Sequence, residues 1–123
     1  MQVNDKIAEL KNRIDNGFYN KEKFLDLERT LSLYPDLADE ETKDILRHNQ
    51  KYDKFGSIAG ALAYMAFRKD VGDALGLLNH KKYELMFNIA WEKMYAYGLS
   101  AVLDYALTLA QLLQDDNGGS ANG

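Results

Sequence analysis

Val3, Ile7, Leu10 and Ile14 fall at i, i+4, i+7 and i+11, which lines them up on one face of an amphipathic helix. Asn16 and Gly17 are its expected end, because glycine tolerates the left-handed backbone that closes a helix. Asn20 then offers a side-chain oxygen to the free amides of a second helix, in which Phe24, Leu27, Leu31 and Tyr34 repeat the apolar spacing. Pro35 has no amide hydrogen and stops that helix. The two together predict an N-terminal helical hairpin.

Asp36 or Asp39 suits the cap of a third helix, with Glu40 and Glu41 in the first turn where the helix dipole favours negative charge. Ile45, Tyr52, Ala59 and Ala66 continue at seven-residue spacing without a proline, so the pattern allows one helix from about 39 to 69, with Gly56 as the expected break. Asp70 is the expected cap of a short helix carrying Val71, Ala74, Leu75 and Leu78, which Asn79 and His80 interrupt. A strong helix is predicted from Lys81 to Tyr97 with Gly98 as terminator, and a last one from Leu99 to Gln114. No segment alternates apolar and polar residues as a strand would. The fold class is therefore all-α, a compact bundle of five or six helices with an N-terminal helical hairpin.

Charge divides the chain unevenly: residues 1–54 carry 22 charged side chains and the 69 residues after them carry 12. This predicts a charged helical hairpin or arm over 1–54 and an apolar helical core over 55–114, together one domain. The tail over 115–123 is acidic and glycine-rich with little to bury, and is expected to be disordered. Met1 to Asp5 lack the basic leader and apolar run of a secretory signal. Phe55 to Phe67 is too short to span a bilayer, and Ser100, Asp104, Thr108 and Gln111 put a polar stripe along the longer apolar stretch, so no membrane span is expected. The chain has no cysteine, hence no disulfide framework and no thiolate zinc site, and a cytoplasmic setting is the expectation. A net charge of -4 disfavours broad nucleic-acid binding, which needs a concentrated basic surface.

Chemistry-bearing motifs are sparse. The helical di-iron signature needs a glutamate three residues before a histidine, but Ile45 precedes His48 and Leu77 precedes His80 at that distance. Glu41, Asp44 and His48 share a helix face, which reads first as a solvated charged surface. Gly56, Ser57 and Gly60 lack the spacing of a nucleophile elbow, and no glycine run leads into the lysine and hydroxyl residue of a phosphate-binding loop. No catalytic residue, metal ligand or cofactor is assigned. Gly56 and Gly60, with Ala59, Ala63 and Ala66, form a strip of small residues that suits a close internal helix crossing before it suits a dimer contact.

Two constellations carry the functional expectations. Tyr83, Phe87, Trp91 and Tyr95 are spaced by four along one helix whose flanks, Leu85, Met86, Ile89 and Met94, are apolar too. A helix so apolar all round must be covered on several sides, first by its own core and next by a second subunit or protein partner, with a ligand-stacking wall as the third reading. The other constellation is basic. Arg68, Lys69, His80, Lys81 and Lys82 bracket the segment from Asp70 to Asn79, and Lys81 and Lys82 open a helix where positive charge is mildly unfavourable. These residues either converge on an anion beside free helix-start amides or are neutralised by Asp70, Asp73 and Glu84. The leading expectation is a non-catalytic interaction protein, a homo-oligomer or a binder of another protein, acting as inhibitor, adaptor or assembly component. The alternative is a binding or sequestering protein for a phosphorylated small molecule or nucleotide.

Overall fold

The computed structural model describes residues 3–47 and 55–122, with side chains over 4–47 and 55–113. The described residues are helical and contain no strand: α1 Val3–Asp15, α2 Leu25–Leu33, α3 Glu40–Arg47, α4 Ile58–Leu75, α5 Tyr83–Trp91, α6 Met94–Tyr97 and α7 Leu99–Asn122. Short 3-10 turns at Lys21–Phe24 and Pro35–Leu37 precede α2 and α3. Six of the α-helices are eight residues or longer, as an all-α bundle of five or six helices requires. No helix among the described residues is long and apolar enough to cross a membrane.

The chain divides into two compact units, one of Asp15–Arg68 and one of Met1–Ile14 with Lys69–Gly123. α1 groups with the C-terminal helices, while α2 and α3 belong to the other unit. Hydrophobic residues recur too evenly along the chain for local pattern to reveal which helices share a core.

In the middle unit, Leu31, Ala38, Ile45, Ala61 and Leu62 form the buried core, and Phe24, Leu46, Phe55, Ile58 and Met65 pack against it. Of the expected face of α2, Leu27 and Tyr34 stay exposed. The starts of α3 and α4 are capped by short polar side chains. The Thr42 amide donates to Asp39 Oδ1 at 2.8 Å, the expected cap of α3, and the Gly60 amide donates to Ser57 Oγ at 3.0 Å. A long-range partner joins them, since the Ala59 amide donates to Glu28 Oε1. Asn20, by contrast, makes no side-chain cap; its backbone carbonyl accepts from the Lys23 amide at 2.9 Å instead. Gly56 sits at φ +80°, a backbone conformation that an L side chain resists, and so the chain breaks there before α4. Of the small strip, Ala59 and Ala63 are buried, and the Ala59 amide meets α2 through Glu28. A Cβ at Gly60 would strike the Phe55 carbonyl, while one at Gly56 would meet nothing within 4 Å.

In the terminal unit α5 and α6 pack along α7. Val71, Tyr83, Phe87, Val102, Leu103 and Ala106 are among its buried residues. α1 is tied to α4 by Arg13 with Asp70 at 3.2 Å and by Lys6 with Asp73 at 3.6 Å. Both pairs are partly exposed and contribute at most about 1 kcal/mol each. Asp70 is thus an ion-pair partner and not a cap, because α4 runs through it without a break. That helix ends instead at Gly76, whose φ is +69°, with the Leu77 amide bonded to the Gly72 carbonyl at 2.9 Å and the Gly76 amide to the Asp73 carbonyl at 3.2 Å. The helix expected from Lys81 to Tyr97 is interrupted by a turn at Glu92 and Lys93. At the C-terminus, α7 continues to Asn122, where composition predicted disorder beyond Gln114. Extending an existing helix adds one hydrogen bond per residue fixed and avoids the cost of nucleation.

Candidate functional site

α5 has two distinct sides. Tyr83, Met86, Phe87, Ala90 and Trp91 are buried, whereas Glu84, Leu85, Asn88, Ile89 and Glu92 are exposed. The buried set follows the 3.6-residue period, so α5 turns one continuous face into the unit. Phe87 is 0% exposed, and its ring centroid lies 5.9 Å from that of Tyr83 and 6.1 Å from that of Trp91. Gly72 makes room for this packing. A Cβ there would come within 2.9 Å of both Leu78 Cδ1 and Tyr83 Cε2.

Three members of the expected interface stripe, Tyr83, Phe87 and Trp91, are therefore core residues and are not offered to a partner. Tyr95 is 64% exposed, because the turn at Glu92 and Lys93 takes it off the α5 register. The apolar surface of this helix lies on the other side, at Leu85, 64% exposed, and Ile89, 44% exposed. Sequence patterning recognised both as apolar flanks but gave no means of deciding which flank was covered. When three sides of a helix are apolar, only tertiary packing selects the inner one. Tyr97 of α6 and Leu78 before α5 are exposed in the same unit, and Leu33, Tyr34 and Leu37 are exposed in the middle unit.

The basic bracket is distributed as follows. Arg68 belongs to the middle unit, while Lys69, His80, Lys81 and Lys82 belong to the terminal unit. Within the terminal unit, an open groove of about 690 Å³ is lined by Gly72, Asp73, Gly76, Leu77, Leu78, Asn79, His80 and Lys81. His80 and Lys81 thus share a concave surface, and Lys69 and Lys82 are not part of its lining. His80 has a structural duty here. Its Nδ1 accepts the Lys82 amide at 3.0 Å and its carbonyl accepts the Tyr83 amide at 3.0 Å, which uses two of the amides at the start of α5. Asp73 contributes a carboxylate to the same groove, bridged to Lys6.

The metal face considered at Glu41, Asp44 and His48 includes His48, which lies outside the described residues. Among the described residues no group of three histidine, cysteine or carboxylate side chains is placed to hold a metal ion. The chain belongs to the family described as a family of unknown function, DUF8546, whose model matches residues 8–114. That match spans α5 with its exposed face and the whole of the groove. No curated protein and no solved structure matches the chain.

Proposed function

We propose that this protein is a non-catalytic helical interaction protein that self-associates, working in the cytoplasm as an assembly component, adaptor or inhibitor. The observation that carries this reading is the outer face of α5. After Tyr83, Phe87 and Trp91 have filled the core, Leu85 and Ile89 remain exposed one helical turn apart, and adjacent apolar side chains rimmed by polar ones mark surfaces where partners dock. Light scattering on the purified chain tests it. A mass above 14.0 kDa that rises with concentration is expected. A strict monomer at high micromolar concentration that captures no partner overturns it.

A second reading, binding of a phosphorylated small molecule or nucleotide, is favoured by one observation: His80 and Lys81 line the same open groove. Lysine supplies compact positive charge and the ring Nε2 of His80 supplies a donor. Calorimetry with pyrophosphate and a panel of nucleotides tests it, with binding expected to weaken in Lys81→Ala.

A further inference from the structure

Lys82 and Glu92 stand at opposite ends of α5, each at the end its charge suits least. A helix presents partial positive charge at its N-terminus and partial negative charge at its C-terminus, so a lysine at the start and a glutamate at the finish both oppose the dipole. Both are exposed, and the exposed apolar residues of the helix lie between them. Lys82, Leu85, Ile89 and Glu92 are separated by three, four and three residues, which is the spacing of a seam along which one helix packs against another. The order is symmetric. Leu85 and Ile89 are centred on Phe87, and so are Lys82 and Glu92, while Phe87 itself points into the core.

We infer that the outer face of α5 pairs with the same face of a second copy, antiparallel and about a twofold axis opposite Phe87, so that Lys82 of each copy meets Glu92 of the other. This rests on the self-association proposed above and names its surface and register. A twofold contact must be self-complementary, and the stripe is: antiparallel pairing sets Leu85 against Ile89 at the centre and opposite charges at both ends. Parallel pairing instead sets lysine against lysine and glutamate against glutamate. The same pairing places each helix start beside a helix finish, where the opposite ends of the two dipoles meet. A seam of four residues is far smaller than a standard interface, so the dimer is weak and reversible, with a Kd on the order of micromolar or above.

Sedimentation of the full chain tests this through a charge exchange. Lys82→Glu and Glu92→Lys each place like charges at both ends of the seam, and each should weaken dimerisation by about tenfold or more. The double variant restores opposite charges in reverse order and should return affinity to within about threefold of the parent. Both substitutions suit the helix dipole better than the native residues, so lost association cannot be ascribed to a destabilised α5, and circular dichroism checks that the helices persist. Leu85→Asp should abolish the dimer. If the single variants associate normally, or the double variant is no better than the singles, the inference fails. A parent chain that dimerises regardless of Leu85→Asp and of all the charge variants keeps the self-association reading and moves the contact to another surface. A monomeric parent removes both.

Discussion

The carboxylate of Glu28, in the middle of the sequence of α2, accepts the backbone amide of Ala59 at 3.1 Å and so closes the first turn of α4 from a different helix. The first amides of any helix lack a partner within it, and a negative charge there also meets the positive end of the dipole. Glu28→Ala should therefore lower stability by about 1 kcal/mol, and Glu28→Gln by less, since an amide oxygen still accepts the hydrogen bond. Urea denaturation measures both. Equal losses in the two variants would mean that the side chain matters through packing and not as a cap.

Gly72 lies inside α4, where alanine is ordinarily the better helix former by about 1 kcal/mol. Here the substitution should destabilise, because the added methyl would press on Leu78 and on the ring of buried Tyr83. Overpacking of this kind costs about 1 to 3 kcal/mol, which outweighs the propensity gain. Leu78→Ala combined with Gly72→Ala should recover part of the loss. Thermal melts of the single and double variants check the sign.

The aromatic stripe of α5 separates by burial. Phe87→Ala should cost about 3 to 5 kcal/mol, the usual range for emptying a fully covered aromatic site. Tyr95→Ala should change stability by no more than about 0.5 kcal/mol, since its ring is mostly in water. Similar losses at both positions, read by chemical denaturation, would contradict the two-sided packing of this helix.

Removing the residues after Gln114 should leave the thermal transition nearly unchanged while reducing the helical circular-dichroism signal. The segment offers two aspartates, two asparagines, three glycines, a serine and a single alanine, so it has little apolar surface to bury. A large drop in melting temperature on truncation would show instead that the tail is docked.

Local features were readable from residues whose physics is local. Gly17 and Gly98 end helices as their freedom at positive φ suggests, and Asp39 caps α3 because its short side chain reaches the amide three residues on. Tertiary features were not. Asp70 looks like a cap until Arg13 is placed beside it, and the sequence separation between them is 57 residues. Lys82 and Glu92 were visible as charges, and the unfavourable position of Lys82 at a helix start could be stated at once. That the two bound an exposed apolar stripe emerged only when Phe87 was seen to face inward, because periodicity assigns faces to a helix and not the side from which it is covered.

The division between the two units falls inside α4, between Arg68 and Lys69, where the helix is unbroken. A chain severed at that point would leave four carbonyls on one fragment and four amides on the other with no intrahelical partner. A division that falls inside one continuous helix means that the polypeptide is not modular in the genetic sense. Recombination or domain insertion at residues 68 and 69 should yield no folded product, although that is where compactness alone would draw the line.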